Sequence, residues 1–542
     1  MTKERIDRAG AERGVALITV IGLMLVLLIF AGGLVSQLAM EVNSVHAHGV
    51  SNRALTAADA GVHGMVAAIQ TNAVANLPPP NTPLEYDYPE ANGAPSNTSY
   101  TATIARTWIT GSLTYYLITS TGSVDNGIEK QHRVVSAIAR AQPYARYASF
   151  SNYEVNQFGK PVWYLPDQVY DGPVYSGGPM HIDFNDTVGP IFKQGVQTGY
   201  EPIWNDEDEG KTQPDARDWD MIAAGGQNAF AINPVPLALP QPSSNIIVAS
   251  EAWQGDASNT FASGFPSVAP GVYIDAPSDV PAKDAVSNSG TSVTTGIFIN
   301  AAGGTATVTS SSSGNTENMS ISGPWSGGSY DLAITFGSPG STKVTYNGVS
   351  KTYSGVPSGA PAPGNPNLGN GAVFAVGGIQ FGKAKTPDVT LQGSYTFATP
   401  DYAGWTQNNN IVVLGNLKYA DPIRDEVALW GNDVIVDTLA SDITIDASII
   451  AGYPGENWKH GNFRNIYCKP ATCGTRDQGK LTVNGGVIEN SRGALGLIVG
   501  TPGTHTGFSR NIIYDPRLQA NPPPFNPTTG AYNLIAWDDL GS

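Results

Sequence analysis

The chain has 542 residues, with 29 Lys and Arg against 45 Asp and Glu, a net charge of −16 and only 14% charged residues. That balance argues against nucleic acid as a partner, because such binding rests on basic patches. The 41% hydrophobic content excludes disorder of the whole chain, and the length exceeds one core, so two or three domains are expected.

The first element is a polar leader, residues 1–14, with Lys3, Arg5, Arg8 and Arg13 against Glu4, Asp7 and Glu12. From Val15 to Met40 there is no charged residue and no histidine, enough for a helix to cross a bilayer, which takes roughly 20 apolar residues. The Lys/Arg bias keeps the leader in the cytoplasm and places the rest beyond the membrane. A secretory signal has a shorter apolar core followed by a small-residue cleavage site. Here the core is longer, and Ala31, Gly32 and Gly33 sit within it.

The helix is expected to run on to Ile69. No proline interrupts Glu41 to Ile69, and Leu55, Val62, Val66 and Ile69 fall at helical spacing. A helix over 15–69 would be about 80 Å long at 1.5 Å per residue, weakened locally by Gly49, Gly61 and Gly64. His46 and His48, two apart, cannot face the same way, so with His63 they are read as solvated positions rather than a metal site. Leu77-Pro78-Pro79-Pro80 stops the helix, and a polar loop is expected as far as Asn97. Three strands follow, Tyr100–Ile109, Leu113–Gly122 and Arg133–Ala141, with the turn Asp125-Asn126-Gly127 between the second and third. A helix over 15–69 and a small antiparallel sheet over 100–141 thus make one domain, 15–142.

Beyond Pro143 the signals are short β-branched strands punctuated by Gly and Asn. Residues 143–369 read as a β-rich region, in which Thr305 to Gly340 is a Ser/Gly-rich excursion or inserted lobe. Residues 370–542 read as a second region. Over 370–510 irregular rungs predict a β-solenoid, with a β-sandwich as the alternative. The fold class is therefore mainly β with one long N-terminal α-helix.

The two cysteines, Cys468 and Cys473, are close in sequence and beyond the membrane, so they are a candidate local disulfide. Two free thiols are the alternative, and two Cys give only half a zinc site. No nucleophile elbow, phosphate loop or HExxH motif is present. The acidic run Asp206-Glu207-Asp208-Glu209-Gly210 fails as an EF-hand, because Ala216 falls where the bidentate Glu belongs. Asp437, Asp442 and Asp446 are the one candidate carboxylate set for a solenoid glycan-cleaving enzyme, and turn positions account for them equally well. The chain is read as a non-enzyme, with no catalytic residue, metal or cofactor.

Gly14 directly before the apolar run resembles the type III leader of type IV pilins and their relatives. That resemblance implies a prepilin peptidase that cuts after Gly14 and N-methylation of the new terminus, Val15. At the fifth mature position, where most pilins carry glutamate, stands Thr19. The variant Gly14 to Thr19 is similar to PilX-type minor pilins and the tip pseudopilin K of type II secretion. Ala54 to Gly61, with Asp59 where Glu is usual, resembles the Ala-rich stretch of the PilX-type N-terminal domain. Tyr116 to Gly122 resembles the Y-x-I-x-S-x-G strand of minor pilins. Asp171 to Tyr175, and Asn511 to Leu518 with Pro522 to Phe525, resemble a large uncharacterised domain attached to pilin-like N-termini. The resemblance implies a low-copy or tip subunit of a type IV pilus or secretion filament. Its partners would be other pilin-like subunits through the helix, the prepilin peptidase and the inner membrane. The head would be presented at the cell surface for adhesion to a surface or carbohydrate ligand. An anchored solenoid enzyme acting on carbohydrate and a static envelope protein are the alternatives.

Overall fold

The computed structural model describes residues 3–71, 82–89, 95–110, 113–125, 130–184, 188–206, 214–232, 270–274, 296–359, 369–400, 409–498 and 505–541, apart from a few positions within those ranges, together with Gly127, Leu237 and Leu239. The chain forms two compact units. One comprises residues 1–108, 115–140 and 532–542; the other comprises 109–114 and 141–531.

The first unit is built on α1 (Lys3–Thr71), a single helix of 69 residues, about 100 Å long at 1.5 Å per residue. It begins within the expected leader, and the proline run expected to end it lies outside the described residues. Its sheet has five strands rather than the expected three. β1 (Leu84–Pro89), β2 (Pro95–Thr110), β3 (Leu113–Asp125) and β4 (Lys130–Pro143) follow in order, and the C-terminal strand Thr528–Gly541 joins the edge beyond β4. The stretch expected as a polar loop thus contains β1, which pairs antiparallel with β2 and stacks Tyr86 on Tyr100 at 5.6 Å. The C-terminal strand corrects the assignment of all of 370–542 to one region.

Small residues let α1 lie close on the sheet. Ala54, Ala57, Ala58, Val62, Met65, Val66 and Ile69 are buried on the helix side; Tyr100, Ala102, Ile104, Tyr116, Ile118, Val135, Ala137 and Ala139 are buried on the sheet side. β3 and β4 alternate buried and half-buried residues, as strands with one covered face do. At Gly122 the two backbones meet: a Cβ there would overlap the Ala54 carbonyl oxygen and the Ala58 nitrogen.

The second unit is built around strands that stack in parallel. In one ladder Ile297, Val373, Phe397, Leu429, Ile449, Val487, Ser149, Val174, Val196 and Phe230 lie in register, each beside the next. A second ladder aligns Val308, Phe381, Val413, Val436 and Asn465. A third runs through Leu417, Ile445, Val483, Ile512, Tyr170 and Phe192. The order within these ladders is not chain order. The strand Asp477–Ser491, late in the sequence, lies directly against Ser149–Tyr153, the first strand of the unit. The expected boundary at 369/370 therefore falls inside one continuous stack.

Residues pointing to one side of the ladders form a core that includes Val373, Phe397, Leu429, Ile449, Val487, Val413 and Ile445. The alternate residues of the first ladder, Phe298, Phe374, Trp430, Ile450, Ile488, Phe150 and Tyr175, are buried in a second cluster. With both faces covered, these strands read as continuous apolar runs. The Ser/Gly-rich stretch is longer than expected. It is an antiparallel meander, Ile297–Ser313, Thr316–Ser322, Tyr330–Thr335, Ser341–Tyr346 and Val349–Ser354. Val308, Met319, Ile321, Leu332, Ile334, Val344 and Tyr353 on one face are buried, and Ser and Thr dominate the other.

Candidate functional site

The large apolar side chains of α1 between Val20 and Val45 lie exposed. Val20, Leu25, Leu28, Phe30, Val35, Met40 and Val45 are all at least half exposed. Leu23 to Phe30 is apolar without a break, so the exposed surface runs all round the helix, the pattern of a segment whose solvent is not water. A Cβ added at Gly22, Gly32, Gly33 or Gly49 would meet nothing within 4 Å. Packing begins with Val50 and Ala54, which bury against Val124. The helix from Thr19 is long and apolar enough to cross a membrane, with a mean hydropathy of 2.5 in its most apolar window. Each large apolar side chain left in water forgoes about 1.5–3 kcal/mol. Such a surface at the N-terminus fits a membrane anchor or a signal sequence. Gly14 and Val15, the candidate cleavage pair, lie within α1, with Thr19 just over one turn further on.

The histidines stand apart on the helix. His63 Nε2 lies 3.8 Å from Asp59 Oδ2 at an exposed site, and among the described residues no three His, Cys, Asp or Glu side chains gather as a metal site. Of the acidic run, Asp206 ends the strand Ile203–Asp206, and residues 207–210 lie outside the described residues.

Asp442 and Asp446 each hold neighbouring strands. Asp446 Oδ2 accepts the Tyr419 amide at 3.0 Å, and its Oδ1 accepts Asn484 Nδ2 at 2.6 Å. Asp442 sits at φ 57° and accepts the Lys480 amide at 3.0 Å. Burial, and then the nearby Asp437 carboxylate, raise the Tyr467 pKa. Cys468 and Cys473 form a disulfide that closes the two-strand hairpin 468–473, with Cys473 buried beside Ala494.

Two buried charged clusters carry no local sequence signal. In the first, Glu317 is fully buried where the meander meets the stack. It accepts Ser310 Oγ at 2.8 Å, Tyr395 OH at 3.0 Å and the Gln392 amide at 3.4 Å. Burial outweighs these hydrogen bonds and raises its pKa to about 8. Burial also raises Asp425, and raises Glu426 to about 7 against the pull of Arg517.

The second cluster lies where the late strand meets the first. Arg492 Nη1 reaches Glu154 Oε2 at 3.3 Å, its Nη2 donates to Tyr170 OH at 2.9 Å, and its guanidinium stacks 3.9 Å over Tyr164. Both side chains of the ion pair are 1% exposed. Next to it Arg510 Nη1 donates to Glu489 Oε1 at 2.7 Å, and Glu489 Oε2 accepts the Phe463 and Gly493 amides. Every carboxylate here has a structural partner. An ion pair spanning 338 residues has no signature that local reading detects.

Compared with known proteins, the chain matches no family model, no curated protein and no solved structure.

Proposed function

We propose that this chain is a pilin-like minor subunit of a type IV pilus or related secretion filament, carrying a large β-solenoid head outside the cell. One observation carries the reading: α1 is divided into an apolar part whose large side chains from Val20 to Val45 are exposed and a small-residue part packed on an antiparallel sheet. A subunit that waits in the inner membrane and then enters a filament needs both halves, the first to exchange lipid for neighbouring helices and the second to carry its own domain. Gly14 before the apolar run adds the processing step, cleavage after Gly14 and N-methylation of Val15. The head is read as a solenoid because one ladder passes through ten strands paired in parallel and in register.

Low copy number, at or near the tip, follows from size. A head of about 390 residues has a radius of gyration near ~21 Å, whereas packed helices are only about 10 Å across. A head repeated at every helix step would collide with its neighbours. Thr19 removes the carboxylate that would pair with a neighbour's terminal amine, which fits a subunit outside the regular shaft. The head then meets a surface or carbohydrate ligand.

Mass spectrometry of the mature N-terminus tests the reading. The expected species begins at N-methylated Val15; an intact Met1, or a terminus beyond Ala31, overturns it. Immunogold labelling of the head on sheared filaments tests the position, with gold expected at one end and dense regular gold along the shaft refuting it.

A further inference from the structure

The strand Thr528–Gly541 closes the first unit's sheet from the far end of the chain, and it sits there as a ligand would. None of its 14 residues is buried, whereas β3 and β4 each bury alternate residues. It is held by discrete contacts to α1, β3 and β4. The Tyr532 ring packs edge-on to Tyr116 at 5.5 Å, and its carbonyl accepts Gln70 Nε2 at 3.4 Å. Trp537 Nε1 donates to Asp59 Oδ1 at 3.0 Å. Asp539 accepts Arg133, which also donates to Ser51 Oγ at 3.0 Å. Gly530, near the start of the strand, stands at φ 79° with nothing within 4 Å of where its Cβ would be. Ile535, Trp537 and Leu540 remain 45–59% exposed.

From these features we infer that the C-terminal strand is exchangeable, and that the strand of a second copy of this chain can take its place beside β4. Tyr532 and Leu534 of the strand pack, partly buried, on the core of the first unit, so detaching it uncovers those two side chains and no fully buried one. The edge it leaves on β4 presents unpaired backbone groups that select another strand. The contacts with Gln70, Asp59, Tyr116 and Arg133 then select this strand over others. The occupant is a second copy because it carries the same Tyr532, Trp537 and Asp539 that make these contacts. The chain's own strand competes at an effective concentration of about mM, as short tethers give. Single copies therefore keep their own strand, and exchange sets in where copies are crowded to a comparable density.

The test uses the full chain in detergent micelles and a flexible bis-maleimide, since the native cysteines are already paired. His63→Cys on α1 and Asp538→Cys on the strand flank the Asp59–Trp537 contact. The doubly substituted chain should cross-link within itself. Two differently tagged singly substituted chains, mixed, warmed and cooled, should give a covalent heterodimer whose yield rises with concentration. That yield should exceed severalfold that of a His63→Cys chain mixed with a chain carrying Thr352→Cys, in the second unit. Adding Asp539→Asn to the strand donor should lower the heterodimer severalfold. If the double variant cross-links while the mixed chains give no heterodimer above the Thr352→Cys control, the strand does not exchange. A heterodimer yield unchanged by Asp539→Asn means the copies meet elsewhere and overturns the inference as well.

Discussion

Glu317 makes the second unit's stability depend on pH, and Glu317→Gln should remove that dependence. The carboxyl is fully buried and faces Ser310, Tyr395, the Gln392 amide and, more distantly, Asp425. Its pKa rises from 4.5 to about 8 on folding. At low pH both folded and unfolded states hold the proton, and stability is full. Above pH 4.5 the unfolded chain releases it while the folded chain keeps it, so each pH unit favours unfolding by about 1.36 kcal/mol until the folded pKa is passed. Between pH 5 and 8 this sums to about 4 kcal/mol, to order of magnitude. The amide introduced by Glu317→Gln has nearly the shape of the protonated acid and no proton to lose, at the cost of one extra N–H to satisfy, about 1 kcal/mol. Urea unfolding of wild type and Glu317→Gln at pH 5, 6.5 and 8 reads the effect. Taking the difference cancels titrating groups that do not interact with Glu317, Glu426 among them. The variant should match wild type or fall slightly below it at pH 5, and exceed it by several kcal/mol at pH 8. Parallel pH dependences for the two proteins would refute the argument.

Gly122→Ala should destabilise the first unit by about 1–3 kcal/mol or more, because both clashing atoms belong to the helix backbone; Gly33→Ala, which meets nothing, should leave thermal unfolding of that unit unchanged. Arg492→Met strands Glu154 in a site where it is 1% exposed and should cost about 3–5 kcal/mol. The double variant Arg492→Met/Glu154→Gln should recover much of that loss in the same denaturant assay. Replacing both Cys468 and Cys473 by Ser opens a loop of only a few residues, so the melting temperature should fall modestly, by the equivalent of about 2 kcal/mol or less. Proteolysis should then cut first near 468–473.

Sequence patterns reached as far as local physics does. The helix was legible because an unbroken apolar run and the spacing of Leu55, Val62, Val66 and Ile69 are local signals. β3 and β4 announced themselves by alternation, and Ile411–Val413, Val434–Val436 and Gly271–Ile274 by short β-branched runs. β1 was missed because Leu84 to Pro89 alternates weakly and its partner residues, 95–102, carry few apolar side chains. The joining of Asp477–Ser491 to Ser149–Tyr153, and the return of Thr528–Gly541 to the first sheet, were invisible. A strand's composition states that it will pair and not with which of many similar strands. The same holds for Arg492 and Glu154, each ordinary until the fold buries them together. The carboxylates Asp442 and Asp446 were visible as candidates, but their amide and amide-nitrogen partners were not.

The chain leaves the first unit after Arg140 and re-enters it at Tyr532. In genetic terms the head is an insertion between the fourth and fifth strands of a small sheet. A nonsense mutation anywhere in the second unit removes the closing strand and leaves the β4 edge bare, so truncated products should pair with other strands rather than appear as clean headless subunits. Replacement of the head in one piece, with Tyr532 to Ser542 retained, is instead a compatible change. A single protease nick within either connection also leaves head and base covalently joined through the other. Shedding the head therefore takes two cuts, a useful property for a part that the proposed function places outside the cell.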